Sequence, residues 1–328
     1  MKYYPLHRGG PQVSQLGLGC FSMSGAYGAN DDAVSEASIR RAVDLGVTLF
    51  DSSMSYGIAG HNLKLIGRAL KGLRDKVTIS AKFGGLLDDQ GRRIGYDGSP
   101  AYVRKACDAM LQYLQTDRVD VMCLSRVDPK VPIEDTVGAM AELVRAGKLR
   151  GIGLSEVSAA TLRTSHAIHP LATLQMEYSL WTRDAEAEMI PTCRALGIGF
   201  LAYAPLGRGF LAGSFSNATE VPEDERRALP RFQPENFDHN VRLLDTVERV
   251  ARAHQASKAQ VALAWLMARG GDIFPIPSGA KRAHLEENVA AAEIALGPAE
   301  IASLDAAFPP GAARGTRYHA HGMTQVGL

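Results

Sequence analysis

Short apolar runs recur along the chain, and most of them follow a stretch in which apolar residues return with helical periodicity. Within 133–147, the residues that share one face of such a helix are Ile133, Val137, Met140 and Val144. Glycine ends three of the helical stretches, at Gly46, Gly147 and Gly197, and an apolar run follows each glycine. Because glycine readily adopts the left-handed turn that closes a helix, this order predicts helices and strands in alternation.

The pattern predicts eight strands and eight helices. The strands are 16–19, 48–53, 77–82, 119–125, 150–155, 173–178, 199–206 and 272–277. The helices are 32–45, 61–71, 100–115, 133–147, 158–167, 184–196, 239–268 and 282–292. Strands that are apolar throughout and separated by helices indicate a parallel sheet with helices packed against it. Eight such units predict an α/β fold of the (β/α)8 TIM-barrel type, with one domain over residues 1–328.

A doubly wound parallel sheet is the alternative architecture. Its dinucleotide-binding turn carries G-x-G-x-x-G, and Gly17-Leu18-Gly19-Cys20 is not followed by the later glycine. Ahead of the barrel, residues 1–20 predict a β-hairpin of two short strands around Gly9-Gly10.

Two segments fit neither strand nor helix. Residues 207–238 are rich in Gly, Pro, Asn and Glu, and so long a connection inside a compact domain is usually functional, often a lid. Residues 308–328 are too polar and glycine-rich for a core element. Two interpretations of this C-terminal tail stay open: a disordered end, and a flap over the barrel mouth.

Composition narrows the classes of function. The 36 basic and 35 acidic residues are interleaved and leave a net charge of +1, which argues against a nucleic-acid partner. The four cysteines lie far apart with no metal-binding spacing, so we expect a reduced protein without a metal site. No signal peptide or membrane span is apparent, so we expect a cytoplasmic protein whose partner is a small molecule. The oligomeric state stays open.

Candidate chemistry lies at the ends of two neighbouring predicted strands. Asp51 ends one apolar run, Tyr56 follows on the loop beyond, and Lys82 ends the next strand. A tyrosine with its ordinary pKa of about 10 is a weak acid at neutral pH. We therefore expect Lys82 to lower the pKa of Tyr56, and Asp51 to act as the counter-ion of Lys82. Such a proton donor suits a reduction, in which hydride arrives at carbon and a proton at oxygen.

A second candidate site lies near the C-terminus. Residues 276–282 form a glycine-containing turn that ends in Lys281 and Arg282, before a helix that carries Glu287 and Asn288. Backbone N–H groups at a helix N-terminus, together with two cations, suit a phosphate group. A surface loop with solvated charges would have the same sequence.

The chain resembles the aldo-keto reductases over essentially its whole length, and most of all the bacterial and plant enzymes that reduce aldehydes and ketones with NADPH. The motifs that carry the resemblance are Phe50-Asp51…Tyr56-Gly57, Ile66-Gly67-Arg68-Ala69-Leu70, Ser80-Ala81-Lys82-Phe83-Gly84, Arg126-Val127-Asp128-Pro129, Gly153-Leu154-Ser155-Glu156, Leu174-Gln175-Met176-Glu177-Tyr178-Ser179-Leu180-Trp181 and Ala204-Pro205-Leu206-Gly207-Arg208-Gly209. The resemblance implies a (β/α)8 barrel and NADPH as cofactor.

The resemblance also implies a role for each matching residue. It makes Asp51, Tyr56 and Lys82 three members of a catalytic tetrad, with Tyr56 the general acid. The implied cofactor residues are Ser155 and Gln175 at the nicotinamide carboxamide, Tyr203 against the nicotinamide ring, Leu206, Gly207 and Arg208 along the pyrophosphate, Lys281 near the 2′-phosphate, and Glu287 with Asn288 near the adenine. His284 falls where the family often has Arg or Gln, but a solvated helix histidine explains it equally well.

The chain departs from the family pattern at several positions, and we expect several of these departures to face the substrate. The fourth tetrad member, a histidine in the family, is Ser125 here. The segment before Tyr56 reads Ser52-Ser53-Met54-Ser55, and Leu63 stands where the family commonly has Glu. A serine hydroxyl can donate a hydrogen bond, but it is shorter than a histidine and needs a water or a shifted substrate. Loss of one oxyanion donor costs about 10²–10³ in rate.

The serine at position 125 therefore allows two interpretations. Either it impairs the reductase, or it enlarges the pocket for a specialised substrate that could be reduced at C=O, C=C or C=N. We expect an NADPH-dependent oxidoreductase of the aldo-keto reductase type with an atypical tetrad. Two other classes stay open. One is an NADPH-sensing regulatory subunit, and the other is a non-redox enzyme that cyclises or eliminates with Tyr56 or Lys82 as acid or base.

Overall fold

The computed structural model describes residues 1–28 and 31–328. Its strands are β1 Tyr3–Pro5, β2 Gln12–Ser14, β3 Leu18–Gly19, β4 Leu49–Ser53, β5 Thr78–Phe83, β6 Gly85–Leu87, β7 Arg93–Tyr96, β8 Val119–Leu124, β9 Leu149–Ser155, β10 Thr173–Glu177, β11 Gly199–Tyr203 and β12 Ile273–Pro275. Its helices are α1 Asp32–Asp44, α2 His61–Ala69, α3 Pro100–Leu114, α4 Ile133–Arg145, α5 Ala159–Ile168, α6 Met189–Leu196, α7 Pro234–Arg242, α8 Leu244–Ala253, α9 Lys258–Met267, α10 Arg282–Ala290, α11 Pro298–Ala307 and α12 Ala320–Met323.

Eight parallel strands form one sheet in the order β12-β11-β10-β9-β8-β5-β4-β3. Its two edges meet, because Gly17 N–H donates to the Pro275 carbonyl and Gly19 N–H to the Pro277 carbonyl, both at 2.9 Å. A Cβ atom at Gly19 would lie 2.6 Å from the Ile276 carbonyl oxygen, so the closure requires glycine there. The predicted (β/α)8 fold is confirmed.

The N-terminal hairpin covers the amino end of the barrel. β1 pairs with β2 in antiparallel register, and Leu6 and Val13 join the small apolar cluster inside the barrel. The barrel residues of that cluster are Leu49, Val121, Ala172, Leu201, Phe274 and Ile276. With this end covered, the carboxyl end of the barrel is left for a ligand.

The prediction of a single helix over 239–268 is wrong. The predicted helix 239–268 is three helices, α7 to α9, and α7 already begins at Pro234 inside the segment predicted to be irregular. Gln255 takes a left-handed backbone conformation that ends α8, and Ser257 starts α9 with a capping box that it shares with Gln260. Helical periodicity alone does not detect such a break.

Three elements were not predicted: the hairpin β6–β7, helix α11 and the short helix α12 in the C-terminal tail. With its turn, the hairpin β6–β7 over 85–96 carries more polar and glycine positions than apolar ones, so it lacks the pattern of a buried strand. Helix α11 follows Gly297 and Pro298 after the last predicted helix. No helix in the described part of the chain is long and apolar enough to cross a membrane.

The connection 207–238 is not structureless, because an aromatic cluster holds it on the barrel. The Phe210 ring stacks on Trp181 with centroids 3.8 Å apart, and Phe232 meets the same indole edge-on at 5.5 Å. Phe237 packs against Phe210 and Phe232. The ends of the connection are therefore anchored by packing, and the stretch between them reaches the barrel mouth.

Candidate active site

Three side chains meet at the carboxyl ends of β4 and β5. Lys82 Nζ donates to Asp51 Oδ2 at 2.5 Å and lies 5.0 Å from the centre of the Tyr56 ring. Gln175 Nε2 donates to the other carboxylate oxygen of Asp51 at 2.6 Å. Asp51 and Lys82 are 3% and 5% exposed, so this is a buried, hydrogen-bonded ion pair beside a phenol.

The pKa of Tyr56 is raised to about 12, so the expectation of a lowered value is wrong for this structure. Burial is the largest cause, since it penalises the phenolate, and the Lys82 charge offsets it only in part. The positive charge of Lys82 lowers the pKa of Tyr56, whereas the negative charge of Asp51 raises it. At neutral pH the phenol therefore keeps its proton and can donate it.

Lys82 keeps its charge in this site. Burial acts to lower the pKa of its ammonium group, but Asp51 and Tyr56 outweigh burial and raise that pKa above its ordinary value. The expectation that Asp51 is the counter-ion of Lys82 agrees with this geometry. A charged lysine next to a neutral phenol can stabilise the negative charge that develops there when the proton leaves.

Ser125 follows β8 directly and stands beside this group. Its backbone N–H donates to the Phe83 carbonyl at 2.9 Å, while its hydroxyl oxygen is buried and has no hydrogen-bond partner in residues 1–28 and 31–328. The next residue, Arg126, donates from Nη1 to the Ser125 carbonyl at 2.6 Å and to Ser155 Oγ at 3.3 Å. Sequence reasoning gave Arg126 no role.

A cavity of about 1170 Å³ opens at this end of the barrel, larger than the pocket of a typical single small ligand. The residues expected to form the site that line it are Asp51, Tyr56, Lys82, Ser125, Ser155, Gln175, Tyr203, Leu206, Arg208, Lys281, His284, Glu287 and Asn288. Gly207 lies between two lining residues without lining the cavity itself. The structure thus brings the expected tetrad positions and the expected cofactor positions to one space.

The other departures from the family pattern divide into two groups. Ser53 and Ser55 line the cavity. Ser52 faces away and donates to Asn62 Oδ1 at 2.6 Å, since alternate residues of a strand face opposite sides. Leu63 is fully buried in the core, and Met54 packs against that core. Ser53 and Ser55 therefore lie where substrate-facing positions are expected, whereas Met54 and Leu63, also expected beside Ser125, do not line the cavity, and neither does Ser52.

The C-terminal tail, residues 308–328, is joined to the barrel mouth through Glu156. Arg317 donates from Nη1 and Nη2 to the two carboxylate oxygens of Glu156 at 2.8 and 2.9 Å. Burial acts to raise the pKa of Glu156, but Arg317 holds it below its usual range. The Gly327 N–H donates to the Glu156 carbonyl at 2.8 Å, and Tyr318 OH lies 2.7 Å from Tyr203 OH. The tail thus lies across the mouth as a flap.

The hairpin β6–β7 meets the tail from the opposite side of the cavity. Tyr96 OH donates to Gln325 Oε1 at 2.9 Å, and Arg93 donates to Ser55 Oγ at 3.2 Å. Sequence reasoning missed Arg93, Tyr96 and Tyr318 as lining residues, because each comes from a segment with no periodic pattern.

The two cations expected near cofactor phosphates differ in their partners. Arg208 pairs with Glu177 at 3.4 Å and lies 5.4 Å from the centre of the Tyr318 ring, so its charge is already compensated. Lys281 is exposed and has no ion-pair partner within the described ranges. Its neighbour Arg282 pairs with Glu286 and lies outside the cavity.

The turn before α10 fits a phosphate group. Lys281 lines the cavity at the start of this helix, and Asn288 Nδ2 donates to the Ser278 carbonyl at 3.0 Å, which holds the turn against the helix. A free cation at a helix N-terminus is a favourable environment for an anion. In the part of the chain that the structure describes, no group of His, Cys, Asp and Glu side chains could hold a metal ion.

Comparison with known proteins gives concordant matches. The model of the aldo/keto reductase family matches residues 15–308. "Probable aldo-keto reductase 1" of Glycine max is 42% identical over 315 residues, which cover 94% of this chain and 90% of the relative. The glycerol dehydrogenase of Gluconobacter oxydans superposes with a TM-score of 0.83 at 26% identity and covers 92% of this chain and 94% of its own.

A third similar protein is an aldo/keto reductase of Klebsiella pneumoniae, solved in complex with NADP and acetate. It superposes with a TM-score of 0.76 at 27% identity, over 97% of this chain and 99% of its own. The family match spans most of the sequence, and the relative from Glycine max covers nearly all of it. The chain therefore belongs to the aldo/keto reductase family.

Proposed function

We propose that the chain is an NADPH-dependent oxidoreductase that reduces the carbonyl group of a small, specialised organic substrate, with Tyr56 as the proton donor. The observation that carries this proposal is the buried Asp51–Lys82 pair beside a phenol that keeps its proton at neutral pH. Family membership supports it, as does the presence of NADP in the Klebsiella pneumoniae structure and of NADPH in a second structure from that organism.

The lining residues fit the two ends of the cofactor. Lys281, with Glu287 and Asn288 close behind it, would hold the 2′-phosphate and the adenine. Ser155 Oγ accepts a bond from Arg126, so its own proton is left for a carboxamide oxygen. Gln175 gives its amide N–H to Asp51, and its carbonyl oxygen is left to accept a carboxamide N–H.

The rest of the predicted cofactor set would contribute more by shape than by charge. The ring of Tyr203 would pack against the nicotinamide. The turn formed by Leu206, Gly207 and Arg208 would pack along the pyrophosphate. Because Arg208 is already paired with Glu177, its guanidinium contributes less charge there than a free cation would.

In the proposed mechanism, bound NADPH supplies the hydride and the protein supplies the proton. Tyr56 donates its proton to the substrate oxygen as negative charge develops there. Lys82 stabilises the phenolate that is left, and Asp51 holds Lys82 in place through the bond at 2.5 Å. Closure of the mouth by Tyr96, Gln325 and Tyr318 would exclude water from the reacting groups.

The state of Ser125 favours a specialised substrate over a generic reductase that has lost a residue. A buried hydroxyl without a partner costs about 1–3 kcal/mol, which a bound ligand can recover by accepting its hydrogen bond. The shorter side chain also leaves room beside Lys82 that a histidine would fill.

The test is to follow NADPH absorbance with a panel of aldehydes and ketones while product is quantified by chromatography. The proposal expects one NADPH consumed per alcohol formed. Product formed without loss of NADPH would indicate a non-redox enzyme instead. Tight NADPH binding with no turnover of any carbonyl compound would indicate a cofactor-sensing protein.

A further inference from the structure

Three cations that line the cavity have no carboxylate partner within the described residues: Arg93, Arg126 and Lys281. A phosphate of the proposed cofactor would pair with the charge of Lys281. Arg93 is exposed at the open rim, where water solvates its charge. Arg126 is different, because it is only partly exposed and sits beside Ser125 at the floor. An unpaired cation at such a depth indicates that an anion completes the site.

The hydrogen bonds of Arg126 fix its orientation and leave part of it free. Nη1 donates two hydrogen bonds, one to the Ser125 carbonyl and one to Ser155 Oγ. Its Nε and Nη2 atoms make no hydrogen bond with the described residues, and both keep some exposed surface. A ligand in the cavity can therefore reach them. Burial alone would lower the pKa of Arg126, but nearby Tyr203, Tyr318 and Glu156 raise it, so the charge is permanent.

Ser125 adds a second donor at the same place. Its hydroxyl is buried, unpaired and adjacent in sequence to the guanidinium, and both residues line the cavity next to Lys82. Asp51 already neutralises Lys82, so Lys82 does not compete for a second anion. Glu156, the nearby acid, is already paired with Arg317, so the floor offers one cation with no carboxylate at ion-pair distance among the described residues and one free hydroxyl.

We propose that Arg126 and Ser125 together bind a carboxylate group of the substrate, which makes the physiological substrate a carboxylate-bearing aldehyde or ketone. This inference rests on the proposed carbonyl reduction and names its substrate class. A guanidinium edge matches the two oxygens of a carboxylate, and a neighbouring hydroxyl can bind one of them as well.

A carboxylate fits this position better than a phosphate monoester does. A phosphate group carries nearly two negative charges at neutral pH and three oxygens that need donors. Of the cations near the floor, only Arg126 lacks a carboxylate partner among the described residues. A single negative charge therefore balances the site.

The competing explanation is that Arg126 only positions Ser155 for the cofactor. In that case its loss would weaken cofactor binding and would slow all substrates alike. A substrate-binding role instead predicts a selective effect on acidic substrates, seen mainly in KM, while the Kd for NADPH stays unchanged. Measuring KM for acidic and neutral substrates together with the Kd for NADPH therefore distinguishes the two explanations.

The experiment compares 3-formylbenzoate with its neutral isostere 3-formylbenzamide, using the full-length protein and saturating NADPH. The inference expects kcat/KM to be about 10- to 100-fold higher for the acid, the range that charge-assisted hydrogen bonds give. In Arg126→Met this preference should disappear through a higher KM for the acid, and Arg126→Lys should keep part of it. Ser125→Ala should lose a smaller part.

The control variant is Arg145→Met, which removes an exposed arginine from the end of α4, outside the cavity. It should keep the full preference for the acid. Equal kcat/KM for the acid and the amide in the unmodified protein would overturn the inference. An equal loss for both substrates in Arg126→Met, with weaker NADPH binding, would overturn it in favour of the positioning role.

A binding measurement decides the inference even if neither aldehyde is reduced. Calorimetric titration of the protein with NADP+ should show that benzoate binds and that benzamide does not, with benzoate binding lost in Arg126→Met. Selective benzoate binding by a protein that reduces no carbonyl compound of the panel would contradict the proposed function and support the carboxylate site. Equal binding of benzoate and benzamide would contradict the carboxylate site by itself.

Discussion

The floor and the rim of the cavity are built in different ways. On the floor, Asp51 and Lys82 stand on neighbouring strands, and the hydrogen bond between them is set by the register of β4 and β5. On the rim, Arg317 reaches Glu156 and Gln325 meets Tyr96, contacts between segments far apart in the chain. Strand register fixes the relative positions of Asp51 and Lys82, whereas the rim depends on a few tertiary contacts. The comparison teaches that the candidate reacting groups are positioned by the barrel itself, whereas the closure of the cavity depends on its loops and tail.

The largest expected effect falls on the floor. Tyr56→Phe should lower kcat for carbonyl reduction by about 10²–10⁴-fold, because it removes the proton donor and leaves the cavity nearly unchanged. Steady-state kinetics with NADPH would measure it. The matched control is Tyr102→Phe, a phenol on α3 that does not line the cavity, which should keep full activity. Full activity in Tyr56→Phe would show that the proton comes from another group.

The same phenol predicts a direction for the pH dependence. With the pKa of Tyr56 at about 12, reduction should not be limited by loss of its proton between about pH 6 and 9, because the donor stays protonated there. Oxidation of an alcohol needs the phenolate, so its rate should rise with pH over the same range. Rate profiles in both directions would show this. A reduction rate that falls with a pKa near 7 and that loses this dependence in Tyr56→Phe would contradict the assignment.

On the rim, Arg317→Ala should lower the free energy of unfolding by about 3–5 kcal/mol, since it leaves the buried Glu156 carboxylate without its cation. Urea unfolding followed by circular dichroism would measure the change. Arg314→Ala removes an exposed arginine with no ion-pair partner in the described chain, from the same tail, and should change stability little. A small effect of Arg317→Ala would mean that the tail contact is not held in solution.

The pH dependence of this rim contact has a defined sign. Because Arg317 holds the pKa of Glu156 below its usual range in the folded protein, the contact stabilises the protein above the unfolded pKa of about 4.3. Its contribution is lost as pH falls from there through the lower folded-state pKa. The difference in stability between the unmodified protein and Arg317→Ala should therefore shrink in acid.

A smaller effect should fall on the cofactor end of the cavity. Lys281→Ala should weaken NADPH binding by about 1–3 kcal/mol and leave NADH binding nearly unchanged, because only NADPH has a 2′-phosphate to pair with. Fluorescence titration with both cofactors would measure it. Arg282→Ala is the control, since that arginine pairs with Glu286 outside the cavity. If the unmodified protein bound both cofactors equally, the assignment of Lys281 would be wrong.

The sequence predicted the floor better than the rim for a physical reason. Alternating apolar runs and helices placed Asp51, Tyr56 and Lys82 at one end of one barrel, because strand ends are local features. The contacts of Arg317, Tyr318 and Tyr96 join distant segments without periodic pattern, so no local signal announces them. The expected lowering of the Tyr56 pKa is wrong, because the burial that raises this pKa depends on the packing around the residue, which sequence spacing does not show.

Residues close to the tetrad positions in sequence show the same limit. Arg126 belongs to a motif that carries the family resemblance, yet only the structure shows that it lacks a carboxylate partner. Leu63 and Met54 stand near the tetrad in sequence but pack into the core, since helix and strand faces decide what reaches the cavity.

The proposed function requires that a hydride pass from NADPH, bound in the cavity, to the carbonyl carbon of the substrate. The most direct test is turnover with NADPH that carries two deuterium atoms at C4, followed by mass spectrometry of the product. The account predicts an alcohol about one mass unit heavier, with the label on the former carbonyl carbon. Product without deuterium, formed at the normal rate, would contradict hydride transfer and with it the proposed function.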